Sequence, residues 1–274
     1  MRRSWRNRNL LVGGALVLLI LATALTALFW TPYPPTRLDI IHKLAKPSWQ
    51  HWLGTDPFGR DVLSMIMVGT HTSLSVSLLA VTLGAGVGIP LGALAASAGG
   101  WLDALIMRAS DLAFAFPALL TAIMITAIAG PGAGNAMLAI GLFNIPVFAR
   151  VTRGAALSVR ALDYVQAARA TGRGEFSIMA RHVLPNISAV LLVQITIQFA
   201  LGILAEAGLS YLGLGTQPPQ PSWGRMLNDA QTFIFRAPQL AIFPGMAITA
   251  AVLGLNLLGD GLRDLLDPRL TQRR

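Results

Sequence analysis

Few side chains in this 274-residue sequence have the types and spacing that catalysis or metal binding requires. Asp56 and Asp61 share the stretch LGTDPFGRD, which could be a phosphate-binding loop or a calcium site. Calcium takes about six to eight oxygen ligands, and two carboxylates supply too few. We therefore interpret the stretch as a structural turn, in which Asp56 caps the turn and Arg60 pairs with a nearby acid.

Other reactive groups are scarce. The sequence contains no cysteine, which excludes a disulfide, a thiolate metal site and a thiol nucleophile. The histidines His42, His51, His71 and His182 lack the spacing of metal ligands. The G-x4-G-K-[S/T] loop that cradles ATP phosphates is also missing. We expect no catalytic residue, metal or cofactor in this chain.

Three ionisable residues interrupt long apolar stretches. If these stretches cross a membrane, the three residues are candidates for a gate or a pathway through it, because a charge at membrane depth is costly. Arg108 and Asp111 are three positions apart, so they could pair on one helical face. Glu206 follows a long apolar run, where it could contact a substrate's amino group. The favoured interpretation of Glu206 is an interfacial glutamate that is hydrogen-bonded to its own loop.

The most polar stretch, residues 150–186, reads RVTRGAALSVRALDYVQAARATGRGEFSIMARHVLPN and carries six arginines. Its apolar residues recur with loosely helical spacing. Ala167 and Ala168 are small enough for another protein's backbone to approach, and Gly172 permits a tight turn after the helix. These features predict either a docking helix for a partner protein or an amphipathic helix on anionic lipid.

Composition places most of the chain in a membrane. Hydrophobic residues make up 54% of it and charged residues 12%, whereas soluble domains average about 25% charged residues. The mean hydropathy is +0.61, and a helix needs about 20 apolar residues to cross a bilayer. Gly130, Pro131 and Gly132 divide one apolar run that is too long for a single span. The sequence predicts six transmembrane helices, near 10–30, 72–98, 104–129, 134–150, 186–208 and 239–262.

The distribution of charge predicts the orientation. With the N-terminus inside, fifteen of the 21 Lys and Arg residues fall in inner segments and six in outer ones, as the positive-inside rule requires. This bias accounts for the net charge of +9 without a nucleic-acid partner. The first apolar run is longer than that of a signal peptide and lacks a cleavage site. We therefore expect a retained first helix and both termini in the cytoplasm.

One motif in the polar stretch resembles a known signature. Its spacing matches the EAA signature, E-A-A-x3-G-x9-I-x-L-P, of binding-protein-dependent ABC permeases. The matching positions are Gln166, Ala167, Ala168, Gly172, Leu184 and Pro185. Two positions depart from the signature, because Gln166 replaces its glutamate and His182 its isoleucine. An ion pair from that glutamate is therefore missing, but neither departure should abolish a docking helix.

Longer stretches narrow the resemblance. LGTDPFGRDVLS, SYLGLGTQPPQPSWGRML and NLLGDGLRDLLDPRL are similar to the dipeptide, oligopeptide and nickel permeases. The last stretch is very similar to the C-terminus of their second, C-type subunit. The resemblance spans nearly the whole chain. It implies an all-α, polytopic fold, the six-helix bundle of a type I ABC importer permease, in the bacterial inner membrane.

The resemblance also implies an organisation and a set of partners. Residues 1–9 would be a cytoplasmic N-terminus, 31–71 an extracytoplasmic loop, 72–262 the permease core and 263–274 a cytoplasmic tail. A second, homologous permease, two ATPases, an extracytoplasmic binding protein and membrane lipid would be the partners. Segment 150–185 would be the coupling helix in a groove of an ATPase, with Arg169 beside the signature residues. The first helix would be peripheral and embrace the partner permease.

Di- and oligopeptides are the expected substrates, and the resemblance leaves nickel or a nickel chelate, glutathione and opines as alternatives. ATP hydrolysis is expected on the partner ATPases. A membrane-anchored enzyme would need a cluster of a nucleophile, a base or metal ligands, and none is visible. A secondary transporter would favour paired acids at mid-membrane and inverted repeats, which the sequence does not show.

Overall fold

The structure is a computed structural model that describes residues 8–266. Within this range the chain forms ten α-helices, joined by short 3-10 and π turns. They are α1 Arg8–Phe29, α2 Val62–Ala98, α3 Gly100–Phe114, α4 Ala118–Ala129, α5 Ala133–Arg160, α6 Asp163–Ala170, α7 Glu175–Ile178, α8 Leu184–Tyr211, α9 Trp223–Ala230 and α10 Gln239–Leu266. Most of the predicted cytoplasmic N-terminus and the last eight residues of the predicted tail lie outside the described residues.

The predicted all-α, polytopic fold is confirmed. Among residues 8–266, five helical stretches are long and apolar enough to cross a membrane: α1, α2, α5, α10 and the continuous stretch from α7 through α8. The sixth candidate is α3 with α4, a pair that is bent by 84°. The chain therefore offers six crossings only if this bent pair counts as one span.

Three predicted helices differ most from the structure, and the other bounds differ by up to four residues. The single helix at 104–129 is wrong, because α3 ends at Phe114 and α4 begins at Ala118. Pro117 lies in the break, and a proline disfavours helical backbone in the residue before it. α2 begins at Val62 rather than 72, because the Asp61 side chain accepts a hydrogen bond from the Ser64 amide at 2.8 Å and caps the helix. α5 runs to Arg160, into the segment predicted as the coupling helix.

The long helices α2 and α5 pack through glycines that recur every four residues. Gly84, Gly88 and Gly92 of α2 all lie against α5. A Cβ atom added at Gly88 would come within 2.5 Å of the Ile145 carbonyl oxygen, whereas one added at Gly86 would meet nothing within 4 Å. Small residues on one face let helix backbones approach closely where lipid removes the hydrophobic driving force.

The first helix is peripheral to this pair. It packs against α10, and a Cβ atom at Gly13 would lie 2.4 Å from the Leu258 amide nitrogen. Gly13 and Ala24 are its buried residues within the described range, and the rest of its surface is partly or fully exposed. The exposed surface of α1 is consistent with the predicted peripheral place of this helix.

Two apolar clusters lie at opposite ends of the bundle. One joins the last turns of α2 and α5 to Val165 of α6 and to the start of α8; we call this the α6 end. The other joins Val62 and Met65 of α2 to Met226 of α9 and Leu240 of α10; we call this the α9 end. The residues singled out in the sequence are distributed between these two ends.

Candidate functional site

The short helix α6 lies at the α6 end, where one of its apolar side chains is buried in the bundle. α5 stops at Arg160, and the chain reverses through Ala161 and Leu162 before α6 begins. Val165 points into the bundle and is fully buried among residues of α2, α5 and α8. Since the neighbouring residues Gln166 and Ala167 are exposed, most of the surface of α6 is accessible.

Gly172 ends α6 in a Schellman motif. The Arg173 amide donates to the Ala168 carbonyl at 3.3 Å, and the Gly172 amide donates to the Arg169 carbonyl at 3.0 Å. Gly172 has a φ of 81°, which glycine adopts without the steric cost that a Cβ atom would impose. The glycine of the signature therefore has a local structural role, because it ends α6 and turns the chain toward α7.

Four polar side chains close a ring around α6. Glu175 of α7 accepts hydrogen bonds from Arg160 Nη1 at 2.5 Å and from Arg169 Nε at 2.8 Å. Gln166 links the same two arginines, because its amide oxygen accepts from Arg169 Nη1 at 3.1 Å and its nitrogen donates to the Arg160 carbonyl at 2.9 Å. The chain lacks the signature's carboxylate at position 166, and Glu175, which sequence reasoning missed, provides a carboxylate nearby.

The outward surface of this segment is apolar as well as polar. The Phe176 side chain is 88% exposed, and Leu162 and Tyr164 are nearly half exposed. Ala167 is exposed between them, and Ala168 is half-buried. Exposed aromatic residues beside small ones are typical of a protein contact rather than of a solvated helix.

The π turn Met179–Val183 connects α7 to α8. His182, at the signature's isoleucine position, lies in this turn with its ring 6.4 Å from the Tyr164 ring and its Nε2 3.3 Å from Arg173 Nη1. Leu184 packs against the apolar cluster of the α6 end, and Pro185 is exposed in the first turn of α8. π turns interrupt helices often at functional sites.

The predicted pair between Arg108 and Asp111 does not form. Asp111 of α3 pairs instead with Arg150 of α5, whose guanidinium also lies 4.4 Å from the centre of the Phe114 ring. Arg108 is exposed and has no ion pair within residues 8–266. Long-range packing of α3 against α5 therefore prevails over the three-residue spacing, because α5 offers a cation with aromatic support.

A second ion pair strengthens the contact between α3 and α5. Arg153 Nη2 donates to Asp103 Oδ2 at 2.6 Å. With the Asp111–Arg150 pair, it ties α3 to the second half of α5. α3 is thereby held against the helix that leads into α6.

Glu206 lies in α8 near the opposite end and is fully buried. Its carboxylate accepts hydrogen bonds from Ser73 of α2 at 2.8 Å, Ser210 of α8 at 2.6 Å and Thr216 of the following loop at 3.2 Å. The predicted bond to its own loop is present, but Glu206 is enclosed rather than interfacial. It joins two helices and the loop before Trp223.

The stretch LGTDPFGRD is a structural turn, as predicted. Asp56 Oδ1 accepts from the Phe58 and Arg60 amides at 2.8 Å, and Arg60 Nε donates to Asp56 Oδ2 at 2.6 Å. Asp61 caps α2 and also bonds to His51 Nδ1 at 2.9 Å. Both carboxylates are occupied by donors from the chain itself.

Comparison with known proteins gives consistent matches. The family model of binding-protein-dependent transport system inner membrane components matches residues 88–272. A glutathione transport system permease protein of Pectobacterium atrosepticum is 43% identical over 98% of this chain and 90% of its own length. Its Escherichia coli counterpart is 42% identical over 98% and 89%. A dipeptide transport system permease protein of Alkalihalophilus pseudofirmus is 42% identical over 97% and 87%.

Proposed function

This chain belongs to the family of binding-protein-dependent transport system inner membrane components, and we propose that it forms half of the membrane pathway of an ATP-driven importer for small peptides. In this proposal it pairs with a second, homologous permease. Two ATPases dock on the α6 end, and a solute-binding protein delivers the peptide at the α9 end. The N-terminus and C-terminus lie in the cytoplasm.

The proposal rests on the way α6 is held and exposed at one end of the bundle. Val165 anchors the helix, Gly172 ends it, and Glu175 holds two arginines beside it. This arrangement leaves Phe176 and Ala167 facing outward. A short helix that exposes a small residue, with the exposed aromatic ring of Phe176 on α7 beside it, is suited to insert in the groove of an ATPase.

Energy from the ATPases would reach the pathway through the ion pairs behind α6. When the ATPases close on ATP, α6 would move with them. The Asp103–Arg153 and Asp111–Arg150 pairs would then pull α3 together with the end of α5. Asp111 would act in this link through Arg150, whereas Arg108, which has no ion pair within residues 8–266, would not. Glu206 would keep α2, α8 and the loop before α9 together at the outer gate.

Small peptides are the proposed substrate class. One similar protein is named for dipeptide transport and two for glutathione transport, and glutathione is itself a tripeptide. Glutathione is the second candidate because its named permeases match at 42–43% identity. Competition of unlabelled dipeptide, glutathione and nickel against labelled dipeptide uptake by the reconstituted transporter would separate these substrates.

The test of the docking role is Ala167→Arg. Ala167 is exposed, so an arginine there should leave the chain folded and inserted but block the approach of an ATPase. We expect loss of peptide uptake and poor recovery of the ATPases with the purified permease. Thr36→Arg, which adds the same charge to an exposed loop residue away from α6, serves as the control. Normal ATPase recovery and full uptake by Ala167→Arg would contradict the docking role.

A further inference from the structure

A recess of about 660 Å³ opens at the α9 end, between the loop that precedes α2 and the segment that leads into α10. Its lining includes Lys43 and Lys46 from the first segment and Arg236 from the second, together with Pro57 and Phe233. We call it the basic recess. Three cations and apolar side chains on one concave surface indicate an anionic ligand with an apolar part.

The three cations of the basic recess have no partner in the described part of the chain. Lys43, Lys46 and Arg236 are exposed and make no side-chain hydrogen bond or ion pair within residues 8–266. The nearby acid Asp39 is already occupied, because His42 Nδ1 lies 2.9 Å from its Oδ2. This contact lowers the pKa of Asp39 and keeps its carboxylate charged, but directs it to His42 rather than to the lysines.

This clustering runs against the overall charge distribution. In the proposed orientation, six of the 21 Lys and Arg residues lie in outer segments. Arg60 and Arg225 are used in ion pairs with Asp56 and Asp229. Three of the remaining four line one recess. Cations are fewer on the outer side than on the inner side, so three unpaired ones on one concave surface create a local positive potential that would attract an anion.

The backbone between the two lysines is strained. Leu44 has a φ of 53°, an unfavourable conformation for a residue with a branched side chain. Its amide donates to the Asp56 carbonyl at 3.0 Å, which holds the reversal in place. Because strain of this kind persists where a surface must keep a defined shape, Leu44 supports a site that is built rather than incidental.

The surroundings of the basic recess favour a lipid over a protein surface. α10, a candidate span, begins at Gln239 in the recess wall, so the recess lies at the level where a bilayer ends. Phe235 beside it is fully exposed. A second concavity of about 490 Å³ adjoins it through Pro47 and is lined by Trp49 and Trp52, which are 94% and 66% exposed. Tryptophan concentrates at the membrane–water interface.

We propose that the basic recess binds the anionic phosphate headgroup of a phospholipid, and that Lys43, Lys46 and Arg236 contact the phosphate. The exposed tryptophans and Phe235 would lie among the adjoining lipid chains. Under the orientation of the proposed function, the site faces the extracytoplasmic leaflet. The ligand class is phosphatidylglycerol or another anionic phospholipid.

The test measures phosphatidylglycerol retention on the purified transporter complex by native mass spectrometry, across a titration of the lipid. We expect the apparent affinity to fall about fivefold for each cation changed to glutamine and about a hundredfold in the triple variant Lys43→Gln, Lys46→Gln, Arg236→Gln. Arg37 is an exposed outer cation outside the recess, so the control variant Arg37→Gln should bind phosphatidylglycerol with the wild-type affinity. The triple variant Lys43→Arg, Lys46→Arg, Arg236→Lys should retain the lipid.

Each other outcome overturns the proposal in a distinct way. Equal retention by the wild type and the glutamine variant would show that the recess binds no anionic lipid. Equal retention of phosphatidylcholine would show that charge is not recognised. Displacement of the lipid by equimolar inorganic phosphate would identify free phosphate as the ligand. A glutamine variant with normal lipid retention and a raised requirement for binding protein would assign the recess to an acidic protein surface.

The test is separable from that of the import function. Lipid retention is measured without solute or ATP, so a negative result leaves the role of α6 untouched. Conversely, loss of uptake in Ala167→Arg would not change lipid retention at the other end of the bundle.

Discussion

The ring around α6 makes a quantitative prediction for Glu175→Gln. This change keeps the shape of the side chain but removes the charge that holds Arg160 and Arg169. Charge-assisted hydrogen bonds contribute about 1.5–3 kcal/mol where water is excluded. Glu175 is 43% exposed and Arg169 38% exposed, so solvent screening reduces each pair to about 0.5–1 kcal/mol. We expect the two pairs together to contribute about 1–2 kcal/mol to the local stability of α6.

A loss of this size raises the population of detached α6 by about 5–30-fold. The amides of α6 should therefore exchange hydrogen faster by about that factor in Glu175→Gln, as measured by mass spectrometry on the complete transporter. Solute uptake per ATP hydrolysed should fall, because a detached α6 transmits less of the ATPase movement. In high salt the exchange rate of the α6 amides in the wild type should approach that in the variant, because the Debye length shortens to about 3 Å at 1 M and the ion pairs are screened.

A double-mutant cycle isolates the pair. Arg169→Gln alone should accelerate exchange, and its combination with Glu175→Gln should add less than the sum of the single changes, with a coupling of about 0.5–1 kcal/mol. Arg181→Gln is the matched control, because Arg181 is exposed on the same segment and has no ion pair within residues 8–266. Unchanged exchange of α6 in Glu175→Gln would refute the reasoning.

Three further predictions concern the bundle. Gly88→Ala should lower the melting temperature in detergent, because overpacking costs about 1–3 kcal/mol. Gly86→Ala, at a position that faces open space, should leave the melting temperature unchanged. Equal melting temperatures for the two variants would contradict the glycine packing of α2 and α5. Glu206→Ala should destabilise the folded protein by about 1–3 kcal/mol, because it leaves three buried hydroxyls without their acceptor. Glu206→Gln should recover part of this loss. A wild-type melting curve for Glu206→Ala would show that the hydrogen bonds of Glu206 are dispensable for stability. A cysteine at exposed Ser48 should react with an impermeant reagent added outside and one at exposed Ser158 should not; the reverse labelling would overturn the orientation and the ATPase-docking role of α6.

The sequence by itself determined the class of the protein and the local features of the candidate site. Apolar runs of about 20 residues predict spans because the bilayer leaves no other partner for backbone polar groups. The Ala-Ala pair, Gly172 and Pro185 in the first turn of α8 are local signals, since each acts within a few residues of its own position. The capping role of Asp56 was readable for the same reason. These features depend on neighbours in the chain rather than on neighbours in space.

Only the tertiary structure decided which charges meet. Asp111 pairs with Arg150 rather than with Arg108, and Glu175 joins arginines from two helices. Sequence spacing cannot rank such partners, because the choice depends on how α3, α5 and α7 pack. The full burial of Glu206 likewise depends on the packing of α2 and α8, whereas the break between α3 and α4 coincides with the local signal of Pro117. Helix formation is a local property, whereas burial and ion pairing depend on long-range contacts.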